Sequence, residues 1–391
     1  VAAIPLIRTS ERGDLKSCEF YWWHHWQNGL TGRTVPTWAW FGTAIHKALE
    51  VRYPIGRKRG GLPDVLDAFV AAVGEETGRV WEKGGELDDD EVHDGKLLGI
   101  EMLKGYVKHW GLDTRWHVIH TEQPFQIDVR NPRTGRLVAV YCGTWDLFIW
   151  DDKDKVHRLV DHKTRAQFKK DWSFFDLNDQ AGSYQWVAPE VLRHMGLLGK
   201  NEHIDGIVFN MLRKAMPQPT AEDGIRYNLP KRKHFEAAIE AERQSMPGKV
   251  PGSSWVGPAL TGKESLPMLK DIASKLGLDV KGDARAVQPT ALFERYTTHR
   301  GIEQRVNQGK KVLAEATRMD LIRRGKLPLL KHPTEDCVRC RLFDFCQLDE
   351  IDPARAQEYA ATMLIKTDPY ADHREAMQEN GYVLKKEKNA T

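Results

Sequence analysis

Apolar positions in the first part of the chain recur at helical spacing, and near residue 113 the spacing changes. Within the first fifty residues "FGTAIHKALEVRY" is the clearest amphipathic helix. The helical pattern holds from about 60 to 112, interrupted by the acidic turn "GGELDDDEVHDG" and resumed in "KLLGIEMLKGYVKHW". Beyond it, "WHVIHTEQPFQIDV", "RLVAVYCGTWDLFIW" and "KVHRLVDHKT" are rich in β-branched and aromatic residues, which suit a pleated surface. The turn sequences "NPRTG" and "DDKDK" separate these runs, which predicts a mostly antiparallel meander. A helix over about 176–196 and a further strand, "DGIVFNMLRK", follow. The fold class expected is α/β, an α+β mixed sheet flanked by helices.

Past 215 the chain turns irregular, then helical in "ALFERYTTHRGIEQRVNQGKKVLAEATRMDLIRRG". The organisation predicted is a core over 1–215 with a helical insertion at 51–112. A region over 216–330, irregular then helical, packs on that core. A cysteine segment at 331–350 and a polar, frayed tail at 351–391 complete the chain.

Composition adds bounds. At 391 residues there is room for one large or two ordinary domains. A net charge of +3 argues neither for nor against nucleic acid, so any basic footprint is local. No apolar run reaches membrane-spanning length and the N-terminal residues lack a signal-peptide pattern, so a soluble, cytoplasmic protein without membrane contact is expected. Five cysteines, an odd number, disfavour a disulfide framework. Thirteen tryptophans are many for this length, and several cluster in "YWWHHWQNGL" and "TWAWFG". Packing is the ordinary use of such residues and base stacking the alternative.

The strand pair carries charges that packing does not ask for. Asp146 is a lone acid in the apolar strand "GTWDLFIW", and in "LVDHKT" Asp161 and Lys163 alternate across His162, on one side of a strand. A surface ion pair on an edge strand is the ordinary explanation and is worth little. An acid inside an apolar strand, however, needs a cation. His46 lies on the first amphipathic helix, and Gln180 and Tyr184 stand at i and i+4 on the helix after the strands.

"GTAIH" (Gly42 to His46), "GTWD" (Gly143 to Asp146), "DHK" (Asp161 to Lys163) and "QAGSY" (Gln180 to Tyr184) follow in this order on helix, strand, strand and helix. The series resembles the RecB-like nucleases of the PD-(D/E)xK superfamily over about residues 18–346. The resemblance implies a restriction-endonuclease-like core and hydrolysis of DNA phosphodiesters with Mg²⁺ or Mn²⁺. His46, Asp146 and Asp161 would ligate the ion together with the backbone carbonyl of His162. Lys163 would orient or deprotonate the attacking water, or neutralise charge on the phosphate. Gln180 and Tyr184 would position strand or water, and Glu122, in "HTEQPF", matches an acid seen in the family. His120, His162, Arg165 and Lys169 are candidate phosphate contacts.

Near the end, "CVRCRLFDFC" places Cys337, Cys340 and Cys346 at metal-ligand spacing, one ligand short of a tetrahedral or cubane site. His332 would complete a local zinc site. The RecB-like branch that includes AddB and the CRISPR-associated exonucleases implies a different partner, the early Cys18, and a structural 4Fe–4S cluster. Cys142, in an apolar strand, is expected in the core. "GPALTGKE" (Gly257 to Glu264) nearly spells a phosphate-binding loop but has Glu264 where Ser or Thr is needed, and is rejected. The resemblance thus implies a stand-alone DNA exonuclease, phage-encoded and acting in recombination, replication or degradation of DNA, with phage recombination or replication proteins as partners. The rival is a non-catalytic nucleic-acid-binding module bearing a cluster or zinc.

Overall fold

The computed structural model describes residues 4–169, 171–215, 226–245, 260–285 and 292–379. Its sheet is built on β4 (Leu137–Asp151), which pairs antiparallel along its whole length with β3 (Trp116–Arg130). β4's other edge is shared. β5 (Val156–Arg165) takes only its last residues, Leu147 to Asp151, and β1 (Leu6–Ile7) runs parallel at Val140 and Tyr141. Between those two partners, β4 and β5 part company. β5 continues beside β6 (Ile204–Arg213), parallel to it, and β6 pairs antiparallel with β9 (Phe293–Thr298). The result is a six-stranded mixed sheet flanked by helices, a restriction-endonuclease-like core.

α3 (Thr37–Arg52) lies against β5 and against α4 (Leu62–Glu82). Gly99 of α5 (Asp89–Trp110) meets Phe69 of α4. α6 (Asp179–His194) packs on α9 (Ile302–Arg323), where Gln308 donates to Ser183 Oγ (3.0 Å). Val187, Leu192, Val312, Ala316 and Met319 form one buried cluster with Tyr141, Trp145 and Phe209 of the strands.

Three strands escape the expected pattern. "FERYTT" was expected within a helix but forms β9, and the helix begins only after Gly301. Its aromatic and β-branched residues, Phe293, Tyr296, Thr297 and Thr298, suit a strand, and β6 supplies the partner. The first fifty residues, read as helical, do hold α1 (Thr9–Ser17), α2 (Glu19–Trp22) and a π-helical turn at Trp23–Gln27. They also contribute β1 and β2 (Leu30–Gly32).

The expected frayed tail gives way, as far as Glu379, to ordered structure. α10 (Phe343–Ile351) leads into α11 (Pro353–Met363), β10 (Leu364–Lys366) and α12 (Ala371–Glu379). β10 pairs antiparallel with β2, and Tyr370, His373 and Met377 are buried. Residues 380–391 lie outside the described residues. Polar composition misleads here because Ala356, Ala360, Leu364 and Tyr370 are few but well spaced.

By its contacts the chain divides into two units. Residues 1–87, 99–214 and 293–391 form the first, so β9 and α9 belong with the sheet. The second comprises 88–98 and 215–292. In it α7 (Arg232–Ser245) and α8 (Leu266–Lys275) bury Phe235, Ile239, Leu266 and Leu269, beside the short pair β7 (Arg226–Tyr227) and β8 (Ala284–Arg285). Arg232 ion-pairs with Asp90 at 2.6 Å. The loop-like "GPALTGKE" lies partly outside the described residues. Its Glu264 accepts from the Thr261 N–H and hydroxyl (2.7 Å each), closing a turn of its own.

Candidate metal centre

The parting of β4 and β5 creates the site. Their ladder stops at Leu147 and Val160, so the backbone N–H of His162 lacks a strand partner there. The Asp146 side chain takes that place, accepting from His162 N at 2.5 Å through Oδ2. Its other oxygen, Oδ1, lies 3.3 Å from His46 Nδ1, delivered by α3. The odd acid of an apolar strand is thus buried in the crotch between two strands, with an imidazole for company.

Glu122 completes a triad. Ligand atoms of His46, Glu122 and Asp146 all lie within 4.8 Å of one another. On β3, Thr121 and Gln123 stay opposite Leu147 and Trp145, which sets Glu122 across from Asp146, one register shift beyond Val118. Its backbone is left-handed, φ +44°, a conformation that costs a non-glycine residue on the order of 1 kcal/mol or more. In the sequence Glu122 stood out only through the family resemblance, because its backbone conformation depends on the partner strand.

Asp161 and Lys163 point the same way, as their alternation implied. Lys163 Nζ is 2.6 Å from Asp161 Oδ2, and Gln180 Nε2 donates to Asp161 Oδ1 at 3.1 Å. Gln180 also donates to the Tyr184 hydroxyl (3.0 Å), which donates to the Thr144 carbonyl (2.7 Å). The i, i+4 pair of α6 therefore ties β5's acid to β4's backbone across the gap. Asp161 is 2% exposed and Lys163 26% in its side chain, so the ammonium is the member of the pair that reaches solvent.

Burial and charge push these groups apart. Burial raises the Asp146 carboxyl, but the His46 charge and the His162 N–H outweigh it and hold Asp146 well below the usual range. Glu122 is pushed up by burial and by the Asp146 charge. Asp161 is also raised, because burial and Asp146 outweigh Lys163. Burial lowers His46, yet Asp146 carries it up to about 9. Three carboxyls compete for too little positive charge. A divalent cation among His46, Glu122 and Asp146 would relieve that competition, and hard oxygens with one imidazole suit Mg²⁺ or Mn²⁺.

The His162 ring is spoken for elsewhere. Its Nδ1 lies 2.8 Å from Asn210 Nδ2, while Arg295 Nε donates to Asn210 Oδ1 (3.2 Å). With the amide oxygen occupied by Arg295, the amide nitrogen faces the ring, so Nδ1 accepts and Nε2 carries the proton. Arg295 in turn pairs with Asp113 (2.6 Å) and lies between the Trp110 and Trp116 rings, 3.6 and 3.5 Å from their centroids. Burial lowers His162 to about 3. A neutral ring 1% exposed and locked in this network does not reach a phosphate, which corrects that expectation. Asn210, inside "IVFNML", was missed although it carries the same sign as Asp146, a polar residue in an apolar strand. Arg165 and Lys169 stand over the Phe174 ring at 6.0 and 4.8 Å, and His120 Nδ1 lies 3.0 Å from the Thr121 carbonyl.

Away from this centre, the early and late cysteines share one neighbourhood. Cys18, Cys340 and Cys346 lie against the buried cluster of Phe20, Leu342 and Phe345. The Phe20 N–H donates to the Leu330 carbonyl (3.0 Å), and the Leu330 N–H to Glu19 (3.1 Å). Burial raises the thiols of Cys340 and Cys346, and the nearby Cys18 raises both further. Cys142 is buried in the sheet, its thiol pushed up to about 12 by burial.

A mixed sheet whose strands part around buried carboxylates, with a lysine two residues beyond one of them, defines a nuclease of the restriction-endonuclease-like class. The sequence model of the PD-(D/E)XK nuclease superfamily matches residues 10–347, and the chain belongs to that superfamily. A search of curated proteins found no match. Among the described residues no helix is long and apolar enough to cross a membrane.

Proposed function

We propose that this chain is a metal-dependent DNA exonuclease, with His46, Glu122 and Asp146 holding a divalent ion beside the Asp161–Lys163 pair. The observation that carries the reading is the triad of ligand atoms within 4.8 Å, next to an ammonium that reaches solvent. Bound Mg²⁺ or Mn²⁺ supplies charge on the scissile phosphate and a more acidic water. Asp146 fixes His46 and the His162 backbone, whose carbonyl completes the ligand set in the family pattern. The Lys163 ammonium, held by Asp161, meets the phosphate charge and orients the attacking water. Gln180 and Tyr184 hold Asp161 in place for it. DNA as substrate, attack from strand ends, and a role in phage recombination, replication or degradation of DNA rest on the RecB-like resemblance.

In the same reading Cys18, Cys337, Cys340 and Cys346 hold a structural 4Fe–4S cluster. What supports it is that the early Cys18 lies with Cys340 and Cys346 against one buried cluster. The rival is a non-catalytic binding module.

End-labelled single- and double-stranded DNA, incubated with Mn²⁺, tests the activity and its mode together. Asp146→Ala and Lys163→Ala should each lower the rate by about 10²-fold or more. Equal rates in all three proteins would sink the nuclease reading. Anaerobic purification with visible absorbance and iron and sulfide analysis tests the cluster. A colourless protein with one zinc, undisturbed by Cys18→Ala, would refute it.

A further inference from the structure

Among the described tryptophans two are largely exposed, Trp81 at 56% and Trp38. Trp22, Trp40, Trp116 and Trp145 are at most 1% exposed, whereas Trp38, in the first turn of α3, is 63% exposed. One exposed apolar residue is ordinary in itself. Its place is not. Trp38, Gly42 and His46 follow at steps of four, a slowly drifting row along one side of the helix that ends at the metal centre. A Cβ built on Gly42 meets no atom within 4 Å outside the helix's own backbone, so nothing covers the row at its middle position.

A basic group stands at the far end of this row. The Arg341 guanidinium lies over the Trp38 ring, 5.0 Å from its centroid. Its hydrogen bond runs to a neutral group, the Thr31 hydroxyl, at 3.4 Å. An indole with a cation on one face and an exposed remainder is the combination that binds a nucleic-acid strand, stacking for a base and charge for a phosphate.

We propose that Trp38 and Arg341 form a subsite for an unpaired DNA strand, which runs over Gly42 to the centre at His46, Glu122 and Asp146. Eight helical residues span roughly 12 Å. At ~3.4 Å per nucleotide of a stacked strand, the base on Trp38 lies about three to four nucleotides from the phosphate at the centre, fewer if the strand is stretched. A base inside a duplex has both faces covered, so the subsite takes single strands or frayed ends. It reads no sequence, because every base offers a π face. This inference rests on the nuclease reading for what happens at the far end of the strand.

The test separates the two. Oligonucleotides carrying 2-aminopurine at successive positions are bound with Ca²⁺ in place of Mn²⁺, and affinity and quenching are read for wild type, Trp38→Ala, Trp38→Phe, Arg341→Ala and Gly42→Leu. The subsite requires quenching at one position that disappears in Trp38→Ala and returns in Trp38→Phe. It also requires a Kd raised about 5- to 100-fold in Trp38→Ala. Arg341→Ala should weaken binding and flatten its salt dependence. Gly42→Leu should weaken binding without lowering the melting temperature. Wild-type Kd and quenching in Trp38→Ala would overturn the subsite, whatever the nuclease does in Mn²⁺. A Trp38-dependent stacking signal in a wild-type protein that cuts nothing in Mn²⁺ would overturn the nuclease reading and leave the subsite standing.

Discussion

His46 and Asp146 hold one another in opposite charge states, and a divalent ion has to take the place of the proton between them. Asp146 lifts His46 from the usual value near 6.5 to about 9 against the opposing effect of burial. A folded-state pKa above the unfolded one stabilises the ion-free protein fully below pH ~6.5, and that stabilisation is lost as pH rises through about 9. The buried, raised Glu122 acts in the same direction. The chelator-treated protein should therefore melt at progressively lower temperature between pH 6.5 and 9, and Mn²⁺ should raise the melting temperature most at the upper end. Calorimetry of Mn²⁺ binding at pH 7 in two buffers of different ionisation enthalpy should show proton release, reduced in His46→Ala. A heat independent of buffer would contradict this account. At this scale Asp146, Asp161 and Lys163 were legible because charge in an apolar strand has few other causes. Glu122 was less so, since its φ of +44° depends on a partner strand. Asn210 was legible by the rule that found Asp146 and was passed over.

Among elements, the divided edge of β4 decides where the chemistry sits. β5 and β1 each use part of it, and the residues between are left to side chains, Asp146 for the His162 N–H and Tyr184 for the Thr144 carbonyl. The long strands were readable from their own composition, but β1 and β9 were not, because two and six residues become strand only when a neighbour offers an edge. Behind β5, Arg295 of β9 ties Asn210 to Asp113. Arg295→Ala leaves the buried Asp113 carboxylate with the Tyr53 hydroxyl but without its paired guanidinium, and should cost about 3–5 kcal/mol in urea unfolding. Gly99 of α5 offers a sharper trial. Alanine there gains about 1 kcal/mol of helix propensity, yet its Cβ would come 2.0 Å from the Phe69 ring. Overpacking costs about 1–3 kcal/mol, so Gly99→Ala should be destabilising or at best neutral in the same experiment. A gain of a full 1 kcal/mol would mean that α4 and α5 are not packed at that point.

At the scale of the molecule, residues near the start are bound by residues near the end. β2 pairs with β10, Arg8 pairs with Asp372 at 2.9 Å, and the Tyr370 hydroxyl donates to the buried Glu11. The cysteine pattern hinted at this meeting, whereas the polar composition after 351 hid it. A chain ending at Ile351 should lose these contacts and melt at clearly lower temperature than the full chain, with cleavage by protease appearing first within residues 4–32. Equal melting temperatures would show the contacts to be passive. The same arrangement sets a timetable. Synthesis at ~5–20 residues per second puts roughly 20–70 s between the making of Arg8 and of Asp372. Through that interval Trp26 lacks the Tyr370 ring it packs against, and β2 lacks its partner β10. β1, which borders the open stretch of β4's edge beside Asp146, is therefore tied down by Tyr370 and Asp372 only once those residues have been made.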